Sequence, residues 1–212
     1  MQILFITDYV CPYCLAAKEA LKQALEAAGL EAEITYQPYE LTPESRERVD
    51  TYHDERRRAG YQVLVEPCKK LGLAMKLPPN VVPRPYTRLA FEGWYFACAQ
   101  GKGEAYSDAM YRAYFIQEKD IGDIRVLAEI AGELGMDKAA FTAALEKGTY
   151  TAEEKAAVEY SRNVLKPKGV PTIYIDGRQI TLSEYTKEEM VGILLGAAAE
   201  SGGAACGEGG CI

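Results

Sequence analysis

The sequence predicts an α/β protein. A small mixed sheet is built from a βαβ piece at the start of the chain and a ββα piece near its end, with a large all-helical domain inserted between the halves. Three observations carry this reading. Strand-like runs occupy residues 2–7 and 31–41 and return only after Pro167. The intervening residues read as one helical stretch after another. Each half of the sheet is followed or interrupted by a helical pattern of its own.

Residues 2–7 (QILFIT) are β-branched and aromatic, and read as a buried strand. From residue 12 the period changes. Leu15, Lys18, Leu21, Ala24, Leu25 and Ala28 recur at spacings of three and four, one face of a helix, with Gly29 placed as its C-cap. EAEITYQPYEL (31–41) reads as a second strand. Thr42-Pro43 combines a capping residue with Pro at a first helical position. Helices are then expected at 43–59, 61–72, 86–100, 104–117, 123–134, 138–146 and 152–165. Pro78, Pro79, Pro83 and Pro85 make 73–85 a loop. Thr151-Ala-Glu-Glu154 and Thr186-Lys-Glu-Glu189 both fit capping boxes, the second opening a last helix to about residue 199. Between them GVPTIYIDGRQITL reads as a hairpin turning at Asp176-Gly177. The expected divisions are 1–41 and 168–200 for the two halves of the sheet unit, 42–167 for the helical insertion, and 201–212 for a Gly/Cys tail. This is the layout of a thioredoxin-like fold, βαβ…ββα, split by a helical domain.

Composition narrows the function. The chain has 212 residues, a net charge of −7 and no dense basic tract, which argues against nucleic acid as a partner. No export signal and no membrane-length apolar run is visible, so a cytoplasmic location is expected and a membrane is not. In that compartment six cysteines are a poor disulfide framework and lean towards catalysis or metal. The single histidine, His53, sits in the charged run TYHDERRR and reads as a solvated surface residue. Its isolation removes His-rich zinc sites and leaves little room for Ser-His or Cys-His catalysis.

Cys11 and Cys14 are the strongest candidates for chemistry. Cys11 follows a strand and stands where a helix begins, with Pro12 at the expected first position. Unpaired N–H groups and the positive end of the helix dipole favour a thiolate there. The thiolate is the form that attacks a disulfide. Cys14, about one turn on, is placed to attack the resulting mixed disulfide. The remaining alternative, two inert buried thiols, requires the motif to be accidental. A metal site is not expected, since the nearest further cysteine pair lies only in the tail. Gly169-Val170-Pro171-Thr172 opens a strand with a proline that cannot donate to a ladder. A cis bond there could offer the Val170 backbone to an extended peptide beside Cys11, and a trans bond would make an ordinary strand start.

The sequence resembles the DsbA family of the thioredoxin superfamily, and within it the cytosolic FrnE-like branch. The resemblance rests on D-Y-V-C-P-Y-C (8–14), on G-V-P-T (169–172) and on YRAYFIQEKDIGD (111–123) in the insertion, and it covers about residues 1–200. It implies a thiol–disulfide oxidoreductase, a reductase or isomerase of protein or small-molecule disulfides. Cys11 would be the nucleophile and Cys14 the resolving cysteine. Pro171 would be the facing cis-proline, with Pro12, Tyr13 and Val170 as substrate contacts. No cofactor is implied beyond the cysteine pair, with glutathione as a candidate reductant. Exported members of the family carry His between the cysteines. Tyr13 cannot carry that positive charge, so a less oxidising pair is expected. Oligomeric state is not set by the sequence.

Cys206 and Cys211 in SGGAACGEGGCI leave three readings open: an auxiliary redox pair, a metal clip, or an idle tail. Cys68 and Cys98 read as small buried hydrophobes, and Trp94, Tyr95 and Phe96 as core aromatics. Two other activities compete. A glutathione-dependent kappa-type transferase or isomerase would not need Cys14, and a non-catalytic protease adaptor of DsbA-like form would need neither thiol.

Overall fold

The computed structural model describes residues 1–203. Its sheet has four strands in the order β2-β1-β3-β4. Strand β1 (Gln2–Thr7) pairs parallel with β2 (Glu33–Pro38) and antiparallel with β3 (Thr172–Ile175), which pairs antiparallel with β4 (Arg178–Ile180). A parallel pair needs a crossover, and α1 (Pro12–Ala28) supplies it. Gly29 ends α1 in the left-handed region at φ 61°, and the Leu30 N–H returns to the Leu25 carbonyl. The two halves meet in register. Ile3 lies opposite Ile175 and Phe5 opposite Ile173, and all four are buried. They share one core with Leu21 and Ala24 of α1 and with Met190 and Leu194 of α9 (Lys187–Gly203), which packs along α1.

The β3–β4 turn is as expected from Asp176-Gly177. Both residues have positive φ, 47° and 81°, the geometry that suits a two-residue hairpin. Between β2 and β3 lie α2 (Glu55–Tyr61), a 3-10 turn (Gln62–Leu64), α3 (Val65–Lys70), α4 (Arg88–Cys98), α5 (Gly103–Phe115), α6 (Ile124–Glu133), α7 (Lys138–Glu146) and α8 (Thr151–Tyr160). A wider π turn, Ser161–Leu165, follows α8.

Several boundaries differ from the sequence reading. Strand β2 is shorter than 31–41, although the Tyr39 N–H still reaches the Thr7 carbonyl at 2.9 Å. No helix starts at Thr42-Pro43. Only one turn forms there, closed by Arg46 N–H on the Pro43 carbonyl, and the chain stays irregular to Asp54. The reason is twofold. Glu44–Asp50 offers Val49 alone as an apolar side chain, so a helix would have no face to bury. Thr42 Oγ1 also accepts from the Arg84 guanidinium and does not cap. The helix begins instead at Glu55, where Asp54 accepts from the Arg57 N–H at 3.0 Å. The stretch 61–72 is split by its 3-10 turn, and 152–165 by the π turn. The Thr151 capping box is not formed. Thr151 lies inside α8, and its hydroxyl donates to Glu92 at 2.9 Å. Thr186 does cap α9, accepting from the Glu189 N–H at 3.2 Å.

Candidate active site

The first turn of α1 presents the two cysteines. Cys11 is the N-cap residue, with extended backbone (φ −96°, ψ 114°), and Pro12 occupies the first helical position, where a missing N–H costs nothing. The Cys11 N–H is tied to the Asp8 carbonyl at 3.1 Å, which fixes the turn between β1 and α1. Cys14 donates its N–H to the Cys11 carbonyl at 3.1 Å and so stacks one turn behind. The pair are close together as free thiols. Cys11 is 4% exposed and Cys14 fully buried.

The two sulfurs differ in surroundings. Burial, reinforced by the neighbouring Cys11, pushes the Cys14 thiol well above the ordinary thiol range. The Thr7 side chain and the Asp8 main chain oppose this without reversing it. Thr7 is itself anchored, its hydroxyl paired with that of Tyr111, and Tyr111 packs edge-on to Tyr9, which stacks on Phe91 at 4.6 Å. Cys14 is therefore held as a neutral thiol in a rigid aromatic shell. Of the two, Cys11 alone keeps any exposure.

Across from it lies the start of β3. The Val170–Pro171 bond is cis, and the Cys11 thiol donates to the Val170 carbonyl at 3.3 Å. Tyr13 projects from the turn, its hydroxyl donating to the Gly60 carbonyl at 3.1 Å. Its ring lies 6.5 Å from that of Tyr61 and 5.4 Å from that of Tyr185. A cavity of about 320 Å³ opens beside Val170 and Pro171, walled by Tyr185, Lys168, Gln179 and Leu182. The structure thus brings together Cys11, Pro12, Tyr13, Cys14, Val170 and Pro171. Cys206 and Cys211 lie outside the described residues.

Sequence reasoning missed three participants. Asp8 is fully buried beneath the turn, its carboxylate accepting from the Leu41 N–H at 2.7 Å. Desolvation raises its pKa against the pull of that N–H and of Arg84. An acid closing an apolar strand just before the cysteines was the available signal. Tyr61 and Tyr185 come from distant segments and carried none. Cys98 was expected inside and is exposed, because α4 ends there. Its thiol is pushed up to about 11, by partial desolvation and then by Glu104. Cys68 is buried as expected, and His53 is exposed beside Asp50. Among the described residues, no three His, Cys, Asp or Glu side chains are grouped to hold a metal ion, and no helix is long and apolar enough to cross a membrane.

With this geometry in view, the comparisons with known proteins are decisive for the family. The model of the DSBA-like thioredoxin domain matches residues 2–191. The chain belongs to the DSBA-like thioredoxin family. It is 36% identical over 176 residues to YwbO, an uncharacterised protein of Bacillus subtilis, covering 82% of this chain and 86% of that one. A probable DsbA oxidoreductase of Streptomyces coelicolor, SCO1869, superposes with a TM-score of 0.75 at 25% identity, covering 94% of this chain and 91% of the other. The cytosolic disulfide reductase DsbM of Pseudomonas aeruginosa shares the fold, with a TM-score of 0.70 at 18% identity over 94% of this chain and all of DsbM (100%). The family is one of DsbA-like thiol–disulfide oxidoreductases, and in this chain the first turn of α1 carries Cys11 and Cys14.

Proposed function

We propose that this DsbA-like protein is a cytoplasmic thiol–disulfide oxidoreductase of the FrnE-like branch, reducing or isomerising disulfides through Cys11 and Cys14. One observation carries the reading: a cysteine at a helix N-cap whose thiol donates to the Val170 carbonyl, with a fully buried thiol one turn behind. Cys11, as thiolate, attacks one sulfur of a substrate disulfide. A Cys11–substrate disulfide forms, and the other substrate sulfur leaves and takes up a proton. Cys14 then loses its proton and attacks the Cys11 sulfur. The Cys11–Cys14 disulfide forms and the second substrate thiol leaves, so the substrate has gained two electrons. Two glutathione molecules can return the pair to thiols, themselves becoming glutathione disulfide. The raised pKa of Cys14 supports this order of events, since a neutral thiol does not compete for the first attack. The likeness to DsbM, a cytosolic disulfide reductase of the same fold, supports the compartment and the direction.

The test is equilibration in graded glutathione redox buffers, followed by acid quenching and mass mapping of alkylated cysteines. Formation of a Cys11–Cys14 disulfide across a defined window is expected. Its absence throughout the series would overturn the reading. Activity on a small molecule that survives Cys14→Ser would point instead to the kappa-type alternative.

A further inference from the structure

Cys11 is almost completely covered, and two tyrosines stand close to it. Tyr13, two residues on along the same turn, lies within electrostatic reach of Cys11 and is braced by its bond to Gly60. Tyr185, from the loop between β4 and α9, lies within electrostatic reach of the same thiol, its ring 5.4 Å from that of Tyr13. Tyr185 also forms a wall of the cavity that holds Val170 and Pro171. That cavity, about 320 Å³, sits at the lower end of what encloses a small organic ligand.

Tyr185 is held by an unusual arrangement. Its φ is 54°, in the left-handed region that bulky residues avoid. Such a conformation persists only when surrounding structure enforces it. The enforcing group is the Glu189 carboxylate, in the first turn of α9. One oxygen accepts from the Ser183 N–H at 2.6 Å and the Ser183 hydroxyl at 2.7 Å. The other accepts from the N–H groups of Glu184 at 3.0 Å and Tyr185 at 2.9 Å. Three consecutive main-chain donors are thereby gathered on one side chain. Partial burial alone would raise the Glu189 carboxyl, but these bonds hold it below the usual carboxylate range.

We infer that Tyr185, positioned by Glu189, sets the substrate range of this site: it leaves a path to Cys11 for small or extended linear disulfides and screens out those on folded protein surfaces. The inference rests on the thiol–disulfide reading above. Attack on a disulfide requires the incoming sulfurs to line up with the Cys11 sulfur, so a blunt surface must first displace the Tyr185 ring. A linear disulfide can lie along Val170 and place one arm in the cavity.

The test compares full-length wild type with Tyr185→Ala, Tyr185→Phe and Glu189→Gln. Reduced protein is labelled with N-ethylmaleimide or with a polyethylene glycol maleimide of the same reactive group. Consumption of the Cys11 peptide is followed by mass mapping, which separates it from Cys98 and the tail thiols. The bulky-to-small rate ratio at Cys11 should rise about three-fold or more in Tyr185→Ala and Glu189→Gln and stay at the wild-type value in Tyr185→Phe. The ratio of kcat/KM for insulin to that for hydroxyethyl disulfide should move the same way. An unchanged labelling ratio in both variants overturns the inference, as does an equal rise for both reagents. If Tyr185→Ala does not fold, Glu189→Gln, which keeps the side-chain size, decides alone. A wild type inactive on every disulfide would sink the functional reading, while the labelling ratio would still decide whether Tyr185 screens the thiol.

Discussion

The Cys11 thiol donates to the Val170 carbonyl across 3.3 Å, joining the first turn of α1 to the start of β3. The two residues come from opposite ends of the chain and meet because β1 pairs with both β2 and β3. The bond aims the sulfur at the main chain of the cis Val170–Pro171 segment. Cys14 is fully buried one turn behind. The consequence is a division of labour that single substitutions can separate. Cys11→Ser should remove disulfide exchange, a loss on the order of 100-fold or more in kcat/KM. Cys14→Ser should keep the first attack and lose the second, so mixed disulfides should accumulate on Cys11. Intact-mass measurement after incubation with a disulfide substrate checks both outcomes.

Lys18 gives a second prediction. It lies on the apolar face of α1, is 3% exposed, and its ammonium is held by Glu104 at 2.5 Å and by Asp108, both on α5. A buried charge normally demands such partners. Here the partners are themselves half exposed, so removing the lysine leaves two hydrated carboxylates and not two stranded ones. Lys18→Ala should cost about 2 kcal/mol, chiefly through lost packing of the stem. Lys18→Met, which fills the same space, should stay within about 1 kcal/mol of wild type. Urea unfolding of the two variants separates charge from volume.

The contact of α4 with α5 and α7 yields a third. A Cβ at Gly93 would strike the Tyr106 hydroxyl and come within 2.7 Å of Phe141 Cζ, and all three residues are buried. Gly93→Ala should therefore destabilise by about 1–3 kcal/mol despite the better helix propensity of Ala. The Tyr106 hydroxyl has no hydrogen-bond partner among the described atoms. Tyr106→Phe should be neutral or mildly stabilising, since it removes a buried polar group that gains nothing. Thermal melting of both variants is the check.

Legibility followed locality. The switch of period at residue 12, the Asp176-Gly177 turn and the cysteine spacing are all encoded within a few residues, and each was readable. Thr42-Pro43 carries the local chemistry of a helix start, yet no helix forms, because Arg84 takes the Thr42 hydroxyl and the following residues offer little to bury. Likewise the Thr151 box lost to Glu92, a partner on another helix. The tyrosines around Cys11 come from α1, α2 and the β4–α9 loop, so no window of sequence contains them. The left-handed Tyr185 was hidden for the same reason. Glu189 was visible as a capping-box acid, but it reaches past Thr186 to the three residues before it.

The last prediction concerns pH. Glu154 and Glu40 line a cavity of about 530 Å³ beside Arg88 and Arg162, and each leaves one carboxyl oxygen without a hydrogen-bond partner. Burial first, then Glu40 and Glu92, push the Glu154 carboxyl up to about 8. Burial, then Asp8 and Glu44, push Glu40 up to about 7. Arg88 and Arg162 pull Glu40 the other way, and Arg88 does so for Glu154, without prevailing. Both groups bind a proton more tightly folded than unfolded, where the ordinary value is 4.5. Their contribution to stability is therefore complete below that value and is lost as pH rises through about 7 and 8. The melting temperature should fall between about pH 4.5 and pH 8 at constant ionic strength and level off above. Glu154→Gln, which stays neutral, should flatten that fall and melt about 2–4 °C above wild type near pH 8.5. A variant that loses stability in parallel with wild type over the same range would show that another group titrates there.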